Sequence, residues 1–351
     1  MGIRTATWAF VVRDNAGVNK VFIEKPDDVV YTRELDNYCE LTGTIVDPND
    51  LNRLDVLPFE RRIAAFRNGI LRFEGPLVAP LTRNPHRIEF TARDPYYNAA
   101  WRRIRGDVTI TNELAQIAWQ LLNLQNGYAA TGLRAGTLAV SPTLKKKFLD
   151  GDVVAEKVEY LARLADGIHF RIDAVDEGAI CAKFTALYPD SGTDLTASLK
   201  FEYGAGTIAN CADYQEEWGM VRNRATVTGS TGRRFSHEDA ASIAAYGLWE
   251  DDRGHVTTDD STSAGQAVLA EVVDAMMIAE PPKTVTMTPA ADGPQLFTDF
   301  DVGDFGSYRI KETGRDTIGT GRISKAVVKL DKDSGVELLD AVVLEDGVTS
   351  G

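Results

Sequence analysis

RNGILRFEGPLVAPLTRNPHRIEFTARDP, residues 67–95, reads as a β-hairpin followed by a further strand. Asn68-Gly69 is a dipeptide that two-residue hairpin turns select, because both central residues take positive φ. Ile63 and Ala65 lead into the turn, and Ile70 to Phe73 return from it. Ile88, Phe90 and Ala92 then alternate with polar neighbours, the period of a strand with one buried face. At Asp94-Pro95 the character of the chain changes.

On the N-terminal side the same pattern continues. Trp8, Phe10 and Val12 share one face, and turn residues Asp14 to Gly17 precede Val21 and Ile23. On the C-terminal side Thr111 is placed to cap a helix whose apolar face is Leu114, Ile117, Ala118, Leu121 and Leu122, closed by Asn126-Gly127. A second helix is expected after Asp152, burying Val154, Val158, Leu161 and Ala165 and stopping at Gly167. Ile168, Phe170 and Ile172 then pair across Asp176 to Gly178 with Ile180, Ala182 and Phe184. Strands resume at Leu199 to Tyr203 and Arg224 to Gly229. Ser236 is a candidate cap for an Ala-rich stretch through Ile243 to Tyr246-Gly247, and a longer helix from Ser263 carries Leu269, Val272, Val273 and Met276. Pro281-Pro282 ends it, since proline lacks the amide hydrogen and clashes with the preceding turn. The strands Thr284 to Met287, Ser307 to Ile310, Arg322 to Leu330 and Val336 to Leu344 follow.

This gives a mainly β chain with α+β inserts. A first β-domain occupies 1–95 and an α+β insert 96–198; a second β-domain opens at 199–235 and is completed at 283–351, with a helical insert at 236–282. The two ends share a plan, although no residue-level repeat supports a duplication.

A chain of 351 residues with 44% hydrophobic content has enough apolar mass for two to four cores. Its 52 acidic against 38 basic residues, a net charge of -14, oppose adhesion to nucleic acid or anionic lipid. No run of ~18 apolar residues could span a bilayer, and MGIRTATWAF lacks the pattern of a signal peptide, so a soluble product of the cytoplasm is expected. Cys39, Cys181 and Cys211 are too few and too far apart for a disulfide framework and read as buried small side chains.

Motifs that could carry chemistry are fragmentary. Gly204, Gly206 and Ala209 have dinucleotide-fingerprint spacing, but no apolar helix stripe follows, so they read as a glycine turn. Asp304-Phe305-Gly306 spells a kinase triplet without its companion motifs and reads as a turn between strands. His86, His169, His237 and His255 are scattered, unlike a preformed metal site. Asp299, Asp301 and Asp304 could offer oxygens to a hard cation, against the alternative of a solvated acidic loop. Lys145-Lys146-Lys147 reads as a solvated face rather than a nucleic-acid patch. No catalytic residue, cofactor site or metal site is assigned, and a non-enzymatic assembly protein is expected.

The order of segments resembles the hub proteins at the distal end of phage tails: the baseplate hub of contractile phages, and the tail-tip hub or minor tail proteins of long-tailed phages. One carrier is residues 67–95, with Phe73-Glu74-Gly75 closing the hairpin and Ala92 and Asp94 closing the next strand. The other is SIAAYGLWEDD, residues 242–252, preceded by Arg222-Asn223-Arg224 and Val227-Thr228-Gly229 and followed by a helix, Pro281-Pro282, a strand and Val302-Gly303-Asp304.

The resemblance implies two tube-like β-barrel domains per subunit, flanking the small α/β insert and the helical segment. It implies a trimer whose six barrels form a pseudo-sixfold ring matched to a hexameric tail tube. It implies a place at the virion tail tip after synthesis in the host cytoplasm, with tail tube, distal tail, tape-measure and tip or fibre proteins as partners and no membrane insertion by this chain. DNA would pass through an acidic lumen without specific binding, because like charge repels the duplex. Because the sequence stops soon after its last strand, it is expected to carry out neither lysis nor host recognition itself. The alternatives are a distal tail ring protein, a hexamer with one barrel per subunit; a carbohydrate-binding receptor module of the tail tip using Tyr96, Tyr97 and Trp101; and a cell-wall hydrolase. Next to Asp94-Pro95, those three aromatics also fit a packed domain junction.

Overall fold

The alternation and turns of the N-terminal segment become three hairpins. In the computed structural model, β1 (Trp8–Arg13) and β2 (Asn19–Ile23) pair with Phe10 opposite Ile23 and Val12 opposite Val21. Asp14 shapes their turn by accepting from the amides of Ala16 and Val18. β3 (Pro26–Glu34) pairs with β4 (Glu40–Ile45), and β5 (Arg62–Arg67) with β6 (Ile70–Pro76). Between the last two, Asn68 and Gly69 take φ of 52° and 76°, as the dipeptide predicts. β7 (Thr82–Asn84) and β8 (Arg87–Arg93) complete this half. The structure describes residues 6–346 apart from 24–25, 47–60, 79–81, 85–86, 127–129, 165–166, 190–191, 204–207, 256–259, 291–292, 313–314 and 332–335. His86, Gly127, Ala165, Gly204 and Gly206 lie outside the described residues, as do the side chains of Ala209, Cys211 and His255.

Two sheets, β2-β1-β5-β6 and β3-β4-β8-β7, face each other across Phe10, Tyr31, Leu41, Ile63, Phe73 and Phe90. They touch where Leu77 bridges Ala92 and the Val78 amide donates to Thr91 O. This explains the motif residues quoted above. Phe73 and Ala92 are core. At Gly75 a Cβ would stand 2.0 Å from Arg93 O, so only glycine lets the two strands abut.

The insert runs α1 (Tyr97–Trp101), β9 (Val108–Glu113), α2 (Leu114–Asn126), β10 (Leu133–Leu138), β11 (Thr143–Phe148), α3 (Val154–Ala162), β12 (His169–Glu177) and β13 (Ile180–Leu187). β13 is central, parallel to β10 and antiparallel to β12, and β9 pairs with β11. The expected helix faces are buried together: Leu114, Ile117 and Leu121 pack with Val158, Leu161 and Phe170. The caps differ from expectation. Thr111 lies inside β9, and the first turn of α2 is satisfied by Ser141, whose Oγ accepts from the Ala115 amide at 3.1 Å. α3 ends at Ala162, short of Gly167. The glycine there allows close approach, since a Cβ would meet Ala162 O at 2.4 Å.

After β14 (Lys200–Tyr203), β15 (Ile208–Glu216) and a 3-10 turn at Trp218–Met220, a second, smaller insert begins. It comprises β16 (Arg224–Thr228), β17 (Arg234–Glu238), α4 (Ala240–Tyr246), β18 (Glu250–His255) and α5 (Ser263–Met276). The strand expected at Arg224 to Gly229 within the large β-domain is instead the centre of this unit. β17 flanks it antiparallel and β18 parallel, and α5 covers Ala225 and Val227 with Leu269, Val273 and Met276. Ser236 lies inside β17, and α4 is capped by Asp239, which accepts from the Ser242 amide at 2.8 Å. Thr262 caps α5, whose last residue Met276 precedes Pro281.

Fully buried Asn223 explains why the Arg222-Asn223-Arg224 and 242–252 segments go together. Its Nδ2 donates to Gly247 O at 2.7 Å and Ser242 Oγ at 3.2 Å, and its Oδ1 accepts from the Trp249 amide at 2.8 Å. Asn223→Ala is expected to cost about 2–3 kcal/mol by stranding buried partners. Hydrogen exchange should show the loss confined to residues 222–278; unchanged protection there would refute the role.

The last strands are β19 (Lys283–Pro289), β20 (Phe305–Glu312), β21 (Arg315–Leu330) and β22 (Glu337–Asp346). Phe305-Gly306, read as a turn, opens β20 opposite Arg322 and Gly321. The order β15-β19-β22-β21-β20-β14, with β14 beside β15, gives a second barrel-like half. β21 joins the halves. Along one flank it pairs with β22; along the other, residues 315–322 pair with β20 and residues 325–329 with β3. The two halves are therefore not independent: one continuous sheet and one apolar cluster cross between them.

Candidate functional site

Four arginine-centred clusters fasten the halves and the α+β insert to one another. Arg33 of β3 is buried; its Nη2 meets Asp301 Oδ2 at 2.9 Å and Asp173 Oδ1 at 2.7 Å, its Nε meets Asp301 Oδ1 at 2.5 Å, and its Nη1 donates to Ile172 O at 3.1 Å. One guanidinium thus ties both halves and the insert. Burial pushes the Asp173 carboxyl up, but Arg33 and Arg171 outweigh it and hold the group below the ordinary range.

Arg13 bonds buried Glu74 at 2.7 Å and Asp176 at 2.9 Å, while Arg62 donates to Ala179 O at 3.0 Å. The β12–β13 turn is thereby held on the outer face of the first half. Gly17 and Gly178 pack there backbone to backbone, leaving no room for a Cβ at Gly17. Burial raises the Glu74 carboxyl, against the pull of Arg13 and Arg62. Between the halves, Arg67 and the Trp8 indole both reach Glu337, at 2.6 and 2.8 Å.

The fourth cluster lines a cleft of about 350 Å³ where α3, the β3–β4 loop and β21–β22 meet. His169 Nδ1 lies 2.7 Å from Asp36 Oδ2, its Nε2 faces the Arg322 guanidinium, and Arg322 reaches Glu345 at 3.1 Å. Arginine only donates, so Nε2 accepts and Nδ1 carries the proton.

Asp94 closes the strand before the insert. Its carboxylate accepts from the Cys39 amide at 2.5 Å and the Tyr96 amide at 2.9 Å, and burial raises it to about 7. The folded chain therefore holds this proton up to about pH 7, whereas the unfolded chain releases it near 3.8. Between those values the folded state binds more protons, so this group's contribution to stability falls as pH rises and is level above about 7. Asp94→Asn should remove that slope, a change of up to about 4 kcal/mol in the wild-type-minus-variant difference between pH 4 and 8. Parallel stability curves for the two proteins would sink this assignment.

The carboxylates considered for a cation are engaged by the protein. Asp301 is held by Arg33, Asp304 accepts from the amides of Thr193 and Asp301, and Asp299 accepts from that of Gln295. Among the described residues, no group of three or more His, Cys, Asp or Glu could hold a metal ion. The thiols of Cys39 and Cys181 are buried and raised by that burial to about 12, a range in which they are inert. The lysine run is split: Lys146 is buried over the Tyr160 ring, and Lys147 pairs with Asp107.

The three aromatics considered for glycan contact do not form one platform. Tyr96 is buried with its ring 5.0 Å from Phe170 and has no surface for a sugar. Tyr97 packs edge-on against Tyr38 and Trp101, with Arg93 over the rings of both tyrosines at 4.6 and 4.8 Å. Trp101 alone is open, 72% exposed. Tyr38 was missed because it sits in the β3–β4 loop, far away in sequence.

No family model matches the sequence, and no curated protein does. Solved structures do match along its length. The tail protein from Neisseria meningitidis MC58 is 12% identical, with a TM-score of 0.60 over 97% of this chain and 96% of that one. The chain has the fold of phage tail proteins. Prophage tail protein gp18 from Listeria monocytogenes EGD-e shares that tail-protein fold at 11% identity, with a TM-score of 0.58 over 97% of this chain and 94% of that one. The 43 kDa tail protein of prophage MuSo2 from Shewanella oneidensis does so at 13% identity, with a TM-score of 0.58 over 97% of each chain. The tail-protein fold thus includes the inserts as well as the two halves.

Proposed function

We propose that this chain is a non-catalytic structural part of a phage-type tail, a tip or baseplate hub in which three copies close a ring of six barrel-like halves on the end of the tail tube. The observation that carries the reading is the fusion of two halves through β21, which supplies two ring positions per polypeptide. Neighbouring tube, distal tail, tape-measure and tip or fibre proteins are its partners. DNA passes through the ring without being bound, and the net charge of -14 favours a wall that repels it. The site clusters fit this role: they pair arginines with carboxylates across the two halves and the insert, an arrangement that fastens units together.

Mass measurement of the particle assembled on tail tubes tests the ring. Three copies of the 38.4 kDa chain are expected. Six copies would favour the distal-ring alternative, and clearing of purified cell walls would overturn the non-catalytic reading. Of Tyr96, Tyr97 and Trp101, the rings named for a receptor role, Trp101 alone is open, and glycan binding abolished by Trp101→Ala would establish that role.

A further inference from the structure

The two inserts carry opposite surface characters. At the entry to the smaller one, Trp218 packs edge-on to Tyr246 of that insert at 5.3 Å, and Trp249 Nε1 donates to Tyr246 O at 3.0 Å. Trp218 Nε1 is likewise satisfied, by Glu216 at 3.1 Å. With both indole N–H groups used internally, the rings present apolar surface only. Met220 and Leu248 stand beside them in sequence, and these four side chains are 42–51% exposed. A cluster of exposed large apolar side chains is the kind of surface that marks an interface, and Trp and Met are enriched there. Its sequence neighbours Glu216, Glu217, Glu250 and Asp251 make the rim predominantly acidic, with Arg224 paired to Glu250 at 3.2 Å and Arg222 turned inward onto the Gly219 and Val221 carbonyls.

The α+β insert shows the reverse. Lys145 and Lys147 share the outer side of β11, opposite buried Lys146. The segment carrying Arg103 and Arg105 lies against residues 148–153, through the Arg103–Val153 bridge and the Ile104 amide on Asp152 O. Asp107 and Asp150 neutralise part of this surface, but bases outnumber acids on it. Val140 and Leu149, 81% and 52% exposed, supply apolar patches beside the bases. In a chain of net charge -14, a basic face is the exception, and it is complementary to the acidic aromatic face.

We propose that the acidic aromatic face around Trp218 and Trp249 docks on the basic face of the α+β insert of a second copy. The contact is heterologous, one surface of each copy meeting a different surface of the next, the kind that closes a ring. It rests on the ring reading above and adds where neighbouring copies touch. Aromatic burial supplies adhesion, and the charge pairing supplies orientation and salt sensitivity.

The test is photo-crosslinking from a benzoylphenylalanine placed at Trp218, in a mixture of nitrogen-15-labelled and unlabelled chain assembled alone and on tail tubes. Isotope-mixed crosslinks to residues 140–149 are expected. Lys145→Glu with Lys147→Glu should weaken self-association at least tenfold at low salt, and adding Glu217→Lys and Glu250→Lys to the same chain should restore it. An intact oligomer whose crosslinks land elsewhere, or one indifferent to the reversals, overturns the docking and leaves the ring standing. A chain that stays monomeric under both conditions overturns both.

Discussion

Arg33→Ala is expected to destabilise the protein by up to about 3–5 kcal/mol, the cost of taking a buried guanidinium away from two half-buried carboxylates. Asp301 would lose its two-pronged partner, and Asp173 would keep only Arg171 and the Thr185 hydroxyl. The urea midpoint should fall at unchanged slope if the native state stays compact. The double variant Arg33→Leu with Asp301→Leu should recover part of the loss, since only Asp173 then lacks its Arg33 guanidinium partner. A single-variant loss below about 1 kcal/mol, the scale of a surface ion pair, would show that this guanidinium does not hold the three units together.

Gly75→Ala should cost roughly 3 kcal/mol or more, an overpacking penalty at the high end because backbone must move. The added Cβ would lie 2.0 Å from Arg93 O, 2.5 Å from Arg93 C and 3.0 Å from Asp94 Cα, none of which can rotate away as a side chain could. The strain falls where β6 meets β8, the junction of the two sheets, next to the buried Glu74 and Asp94 carboxyls. Separation of the sheets should appear as lost protection at Leu77 and Val78 before global unfolding. A variant as stable as the parent would mean that the strands do not abut as described.

Gly75 lies in the 67–95 stretch, and its neighbours there show what kind of signal that stretch carried. Phe73, Gly75, Ala92 and Asp94 could be picked out as a pattern, yet the reasons differ: core burial, backbone approach, core burial again and capping of the Cys39 and Tyr96 amides. The helix faces of α2 and α3 were equally legible, because a 3.6-residue period needs no knowledge of the partner. The caps were less so. Thr111 was the nearest hydroxyl in sequence, but the donor at the start of α2 is met by Ser141, brought in by the following strand pair. Arg224 to Gly229 shows the same limit, since a β16 strand pattern does not say which sheet it joins. Of the glycan candidates, adjacency in sequence proved a poor guide: Tyr96 turns into the core while Tyr38 arrives beside Tyr97.

The amino-acid order alone determined the β-rich class, the hairpin at Asn68-Gly69, the pairing of β12 with β13 and the apolar faces of the helices. Each rests on alternation, period or turn chemistry among residues close together in the chain. Only the tertiary structure decided that β21 serves two neighbours on one flank, that the halves share a core, and that Arg33 meets Asp301 across 268 positions. A charge gains its partner, and a strand its neighbour, from the free energy of burying the whole apolar cluster, and that sum leaves no mark on any short segment.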